Sequence, residues 1–112
     1  MLRSPADFEA LRKGSRGRSD VLVAVRVRET GREGARVGFA TGRKLGGAVV
    51  RNRVRRRLRS IVREIGPRLR SGRDILIVVR PAGATVEQVR LGHSITSALQ
   101  ALGALQGETR DR

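Results

Sequence analysis

The chain has no cysteine, no tryptophan and no tyrosine, and only two of its 112 residues are phenylalanine. Without cysteine there is no disulfide, no thiol chemistry and no Cys-ligated zinc. Two aromatic rings are too few for a sheet that stacks several bases, as an RRM does. No apolar run approaches the roughly 20 residues of a membrane-spanning helix, and the first residues lack the apolar core of a signal peptide. We therefore expect a cytoplasmic protein with no membrane partner.

Acidic residues are also scarce, with ten against 25 basic ones and a formal net charge of +15. Residues 43–73 hold twelve basic residues and one acidic, whereas the other 81 hold 13 and nine. Such an excess opposes the compact state unless a polyanion neutralises it, which favours nucleic acid as the partner. Because the chain shows neither a carboxylate pair beside a plausible cleft nor a Cys/His cluster, no residue is predicted to be catalytic. The single histidine, His93, is interpreted as an ordinary surface or core residue.

The hydrophobic pattern predicts one α+β domain over residues 1–105, followed by a polar tail at 106–112. We expect a small α/β sandwich, in which a sheet of about four strands packs with a central arginine-rich helix and flanking N- and C-terminal helices. The N-terminal helix should begin at Ser4 and end at Gly14. Apolar alternation predicts strands at 21–28 and 36–41, and an apolar run predicts a buried central strand at 75–79. A capping box at 85–88 predicts the start of the last helix, whose inward residues would be Val86, Val89, Ile95, Leu99 and Leu102.

Two features of the predicted strands bear on function. Val21, Val23, Val25 and Val27 should line one face of the first strand. In the next strand Phe39 is predicted to face the core, while the small residues Gly38 and Ala40 share the other face and would form a shallow floor.

The central helix carries an unusual charge, since six of the nine residues from Arg51 to Arg59 are arginine. At about 100° per residue, the apolar side chains fall within one third of the circumference: Val50, Val54, Leu58, Ile61, Val62 and Ile65. Around the opposite side lie Asn52, Arg55, Arg56, Arg59 and Arg63, with Arg51 flanking them and Arg53 and Arg57 beside the apolar stripe. Like charges at i,i+4 oppose helix formation, so this face is best explained by phosphates between the arginines. Asn52 either contacts RNA or an ion, or is bonded locally within the helix.

The run from Arg43 to Arg59 resembles the protein component of bacterial ribonuclease P. That family's signature is a basic pair, a glycine, and then A-V-x-R-N-R-x-K/R-R-x-x-R. Ala48-Val49, Arg51-Asn52-Arg53, Arg55-Arg56 and Arg59 match it position by position. Further matches lie in Asp7-Phe8, in Arg36-Val37-Gly38-Phe39 and in the strand from Asp74 to Pro81, so that the resemblance covers residues 2–103.

The resemblance implies a role in removing the 5′ leader of precursor tRNA, with catalysis by an RNA subunit that uses Mg²⁺. Mg²⁺ would then be held mainly by that RNA, and no protein partner would be required. The implied RNA-contacting residues are Arg43, Lys44, Arg51, Asn52, Arg53, Arg55, Arg56 and Arg59. Phe8 would line a cleft for the leader between the first helix and the sheet, although its position alone fits a core residue equally well. Arg12 would lie in the same cleft, where many members have a second aromatic residue.

Two other classes of protein share the size and charge of this chain. A structural RNA-binding protein of the ribosomal type is the main alternative, but it gives no reason for the R-N-R run after R-V-G-F. A DNA-binding module is less favoured, because a recognition helix usually carries more varied side chains.

One departure from the family is Gly47, where many members have asparagine, so that a capping side chain is predicted to be missing at the start of the arginine-rich helix.

Overall fold

A computed structural model describes residues 15–106, apart from the side chain of Arg43. This part of the chain forms four strands: β1 (Arg16–Ser19), β2 (Val23–Glu29), β3 (Ala35–Ala40) and β4 (Arg73–Val79). It also forms two α-helices, α1 (Ala48–Ile65) and α2 (Gln88–Ala101), and short 3₁₀ helices at Arg43–Leu45, Gly66–Arg68 and Pro81–Ala84. The α+β class and the four-stranded sheet are confirmed. The predicted N-terminal helix lies outside the described residues, as does the tail beyond residue 106.

The four strands form one mixed sheet in the order β1-β2-β4-β3. Strand β2 is antiparallel to both of its neighbours, whereas β3 and β4 are parallel and are connected through α1. Strand β4 lies in the interior of the sheet, as its apolar run predicted, and Asp74 to Ile77 are all buried.

Both helices pack on one face of the sheet. Val25 and Ile77 are opposite each other in the sheet and belong to the same buried cluster as Leu58 of α1 and Ile95 of α2. The other face has a separate small cluster, in which Ala40 and Val78 pack against Leu76. Because side chains alternate along a strand, this second face is the one that carries the small residues of β3.

The predicted first strand begins too early, and its inward residue Val21 was assigned wrongly. Val21 is 68% exposed, whereas Leu22 is 4% exposed. The cause is Asp20, whose carboxylate accepts hydrogen bonds from the backbone N–H groups of Leu22 and Val23 and closes a turn there. Strand β2 therefore starts at Val23, and it pairs with β1, a strand that the sequence did not predict.

The predicted start of the last helix is also wrong. The Thr85 hydroxyl donates to the carbonyl of Ala82 and completes the 3₁₀ turn, so it does not cap α2. Helix α2 begins at Gln88, and its N-cap residue Glu87 makes no side-chain cap bond. Val89 is consequently 70% exposed, although the predicted inward positions Ile95, Leu99 and Leu102 are buried.

Candidate nucleic-acid interface

Helix α1 is anchored to the core by one stripe of side chains. Val54 and Leu58 are fully buried, and Ile61 and Ile65 are 4% and 8% exposed. Val50 and Val62 pack at the edges of the stripe, so the predicted apolar third of the helix is confirmed. The helix ends before Gly66-Pro67, because proline cannot continue the backbone hydrogen-bond pattern.

The opposite side of α1 presents a row of cations to solvent, as predicted. Four members of the predicted set are exposed: Asn52, Arg56, Arg59 and Arg63. Arg55, which was predicted on the same side, is half-buried, as is the flanking Arg51, whereas Arg53 was predicted beside the apolar stripe but is exposed. Within residues 15–106, no arginine of α1 makes an ion pair. The only acidic residue of the helix is Glu64. This surface therefore carries positive charge that residues 15–106 do not neutralise.

Asn52 is bonded within the helix, which is one of the two alternatives for this residue. Its side-chain oxygen accepts a hydrogen bond of 3.0 Å from Nη1 of Arg55. The bond joins residues three apart on an exposed surface and orients the Arg55 guanidinium along the helix. The Asn52 amide N–H₂ makes no bond within the described part of the chain, so it is available to an external acceptor.

The segment just before α1 forms a defined turn. Residues Arg43–Leu45 form a 3₁₀ turn that contacts the turn at Pro81–Ala84, and Leu45 is 9% exposed. Lys44 is exposed close to the start of α1. Gly47 is the N-cap and provides no side-chain cap bond, as predicted. Lys44 thus adds an exposed cation to the segment that leads into α1.

A second charged group, which the sequence did not predict, lies on the face of the sheet opposite α1 and α2. This face, which carries Leu76 and Val78, is called the open face. Asp74 of β4 is 1% exposed, and it accepts two hydrogen bonds from Arg36 (Nε, 2.9 Å; Nη2, 2.7 Å) and one from Arg28 (Nη2, 3.1 Å). The bonds from Arg36 and then those from Arg28 lower the pKa of Asp74, against the opposing effect of burial. Only the strand order shows that β4 lies between these two arginines, so local sequence patterns could not have identified the group.

The open face also has the shallow floor that the small residues of β3 predicted. Gly38 is buried and Ala40 lies beside Leu76 and Val78. A cavity of about 670 Å³ extends from this face, and its lining includes Ala24, Val78, Lys44 and Arg80. Phe8 and Arg12, the predicted leader-cleft residues, lie outside the described residues, so their place beside this floor stays a prediction.

Residues 15–106 contain neither a membrane-spanning helix nor a cluster of metal-ligating side chains. No helix there is both long enough and apolar enough to cross a membrane. No group of three or more His, Cys, Asp or Glu residues in the same range is arranged to hold a metal ion.

Fold and charge together define a small α+β protein that presents a cationic helix face to solvent. The chain belongs to the ribonuclease P family, which it matches over residues 1–103. It is 37% identical over 106 residues to the ribonuclease P protein component of Roseiflexus sp. strain RS-1, covering 94% of this chain and 87% of the relative. With the corresponding protein of Chloroflexus aggregans it is 46% identical over 79 residues, which is 70% of this chain but only 58% of that relative. The RNase P protein from Thermotoga maritima has the same fold, with a TM-score of 0.79, 25% identity, and coverage of 95% of this chain and 97% of that one.

Proposed function

We propose that this protein binds the catalytic RNA of ribonuclease P through α1 and assists removal of the 5′ leader from precursor tRNA. The observation that carries the proposal is the exposed arginine face of α1, which lacks ion-pair partners among residues 15–106, in a member of the ribonuclease P family. RNA phosphates would supply the missing anions and release counterions on binding. In this proposal the protein contributes positive charge and a leader cleft, and the RNA performs catalysis.

By the family resemblance, Mg²⁺ is proposed to be held mainly by the RNA subunit, and no Mg²⁺ site is assigned to residues 15–106. Such a site needs oxygen ligands that are free to coordinate the ion. Asp74 is the only buried carboxylate in residues 15–106, and two guanidinium groups already hold its oxygens.

The 5′ leader is proposed to lie on the open face of the sheet. The small side chains of Gly38 and Ala40 leave room there, and the cavity beside them has cationic residues on its rim. By the family resemblance, Phe8 provides an apolar contact to the leader and Arg12 contacts its phosphates.

The first test is cleavage of a precursor tRNA at low Mg²⁺ by a bacterial ribonuclease P RNA, with and without this protein. Controls contain the RNA alone and the protein alone. We expect cleavage to require the RNA and to increase strongly when the protein is added. If the protein binds RNA but leaves the cleavage rate unchanged, its role is that of a structural RNA-binding protein instead.

A second test assigns binding to α1. Replacing Arg56 and Arg59 together with alanine should reduce the steepness of the log–log salt dependence of RNA binding by about 1.4 to 1.8, because each phosphate contact contributes about 0.7 to 0.9. Arg90→Ala is the matched control, since Arg90 is exposed on α2 and has no bond within residues 15–106. If the control and the double variant show the same salt dependence of binding, the RNA binds a surface other than the exposed face of α1.

A third test addresses the leader. Phe8→Ala should weaken binding of precursor tRNA to the holoenzyme while leaving mature tRNA binding nearly unchanged, because only the precursor has a leader. Equal losses for the two substrates would contradict a leader cleft at Phe8.

A further inference from the structure

One arginine of α1 is bonded differently from its neighbours. Arg57 is half-buried, and its Nη1 donates a hydrogen bond of 2.8 Å to the backbone carbonyl of Val86, in the segment that leads into α2. Arg53, Arg56 and Arg59 are exposed and have no such partner within residues 15–106. Position 57 also falls on an unspecified residue of the family signature, between the matched Arg56 and Arg59. The family signature therefore leaves Arg57 out of the implied RNA-contacting set, and the bond to Val86 also separates it from the exposed arginines.

The flank of α1 that carries Arg57 faces α2. Ser60 accepts a hydrogen bond of 3.1 Å from Nε2 of Gln88, at the first residue of α2. Ile61 lies so close to α2 that a Cβ placed on Gly92 would be 3.7 Å from it. Residues 57, 60 and 61 have the i, i+3, i+4 spacing of one side of a helix, so two polar contacts and one apolar contact act on the same flank.

We propose that Arg57 is a positioning residue, which fixes the rotation of α1 about its own axis and does not itself bind RNA phosphate. The inference rests on the proposed RNA-binding function of α1. Arg56 lies about 100° around the helix from Arg57, so the bond to Val86 directs Arg56 away from α2 and toward solvent. A rotation of about 20° would move a group about 6 Å from the helix axis by about 2 Å. That displacement misaligns hydrogen bonds to a phosphate, whose geometry tolerates only a few tenths of an ångström. It is small against the Debye length of about 8–10 Å, so each displaced arginine still neutralises its phosphate and the number of released counterions does not change.

The test compares Arg57→Ala and Arg56→Ala in the full chain. Each variant removes one positive charge from adjacent positions of the same helix. Binding to a bacterial ribonuclease P RNA is measured between 50 and 200 mM salt, roughly the range over which phosphate contacts dominate the salt dependence, at a temperature where thermal melts show every variant to be folded. For Arg57→Ala we expect a lower Tm and an affinity reduced about tenfold at every salt concentration, equivalent to about 1.4 kcal/mol, with the slope unchanged.

Arg56→Ala should behave in the opposite way, with a slope that is less steep by about 0.7 to 0.9 and a Tm that does not fall. Arg57→Lys keeps a cationic donor within reach of the Val86 carbonyl and should recover most of the lost affinity and stability. It also keeps the experiment informative if Arg57→Ala does not fold.

Three outcomes would overturn the inference. A slope that is less steep by one phosphate contact in Arg57→Ala would show that Arg57 binds RNA directly. A lower Tm with unchanged affinity would limit Arg57 to stabilising the fold. If Arg56→Ala also leaves binding and slope unchanged, the RNA does not bind this helix face, and the proposed function fails together with the role of Arg57.

Discussion

Replacing Asp74 with asparagine should destabilise this protein far more than removal of any exposed acid. The Asp74 carboxylate is buried between Arg36, which contacts both of its oxygens, and Arg28. The side chain of Arg36 is only 26% exposed and that of Arg28 only 28% exposed, so water screens them weakly. Without the carboxylate, the two guanidinium groups would lose the anion that they share across β4.

The expected loss follows from this geometry. Breaking a buried ion pair by removing one partner costs about 3 to 5 kcal/mol, because the remaining charge stays desolvated. Because asparagine keeps one acceptor oxygen, we expect Asp74→Asn to reduce the free energy of unfolding by about 3 kcal/mol, the lower end of that range. For a domain of this size, 1 kcal/mol corresponds to about 4–8 °C in Tm, so we expect a decrease of at least about 12 °C.

The dependence on pH provides an independent check. Hydrogen bonds from Arg36 and Arg28 lower the pKa of Asp74 in the folded state below its unfolded value. The carboxylate therefore stabilises the fold fully above the unfolded pKa of about 3.9, and that contribution is lost as the pH falls through the lower folded pKa. The stability difference between wild type and Asp74→Asn should thus be large at pH 7 and smaller near pH 3.

The assay is urea unfolding followed by far-UV circular dichroism at both pH values, with Glu29→Gln as the control. Glu29 changes the net charge equally, but it is exposed and lies 3.8 Å from Arg16, so its ion pair should contribute little. Similar free energies of unfolding for the two variants at pH 7 would refute the reasoning.

Three glycine substitutions should change stability in directions that the backbone dictates, and thermal melts of the variants can test each one. Gly83→Ala should destabilise by about 1–3 kcal/mol, because a Cβ there would collide with the carbonyl oxygen of Leu22 and approach Val79; an unchanged Tm would contradict this close approach. Gly66→Ala should lower the Tm, because Gly66 has helical dihedrals directly before Pro67, where a Cβ would clash with the proline ring. Gly47→Asn should add a few tenths of a kcal/mol by providing the missing cap of α1, and a lower Tm would show that the asparagine cannot reach the first-turn N–H groups.

A helix or strand could be predicted from the sequence where the pattern of its own apolar residues shows which of its side chains are buried. Helix α1 has a regular apolar stripe over 18 residues, and β4 has an apolar run, so both were identified close to their observed bounds. Strand β1 could not be identified, because all four of its residues are exposed and it exists only by pairing with β2. The start of α2 was misplaced for a related reason: Thr85 could cap either a helix or a turn, and the position of Ala82 decides between them.

In the candidate site, too, some features follow from the local sequence and others depend on tertiary packing. The exposed set on α1 follows from helical periodicity, so Asn52, Arg56 and Arg59 were placed correctly on the solvent side. The contact between Arg57 and Val86 joins residues 29 positions apart, and its existence depends on how α2 packs. Helical periodicity placed Arg57 beside the apolar stripe, but only the tertiary structure shows that its guanidinium is bonded to the protein.

The energies of α1 show why an arginine face is compatible with a folded helix before any anion binds. Its arginines form six like-charged pairs at spacings of three or four residues, which together oppose the helix by about 1–3 kcal/mol at about 0.2–0.5 kcal/mol each. Four side chains of the same helix are buried in the core, and at about 1.5–3 kcal/mol each they contribute about 6–12 kcal/mol. Burial therefore outweighs repulsion, and salt weakens the repulsion further. Repulsion between the arginines is thus the smaller of these two energies even before an anion binds to the exposed face.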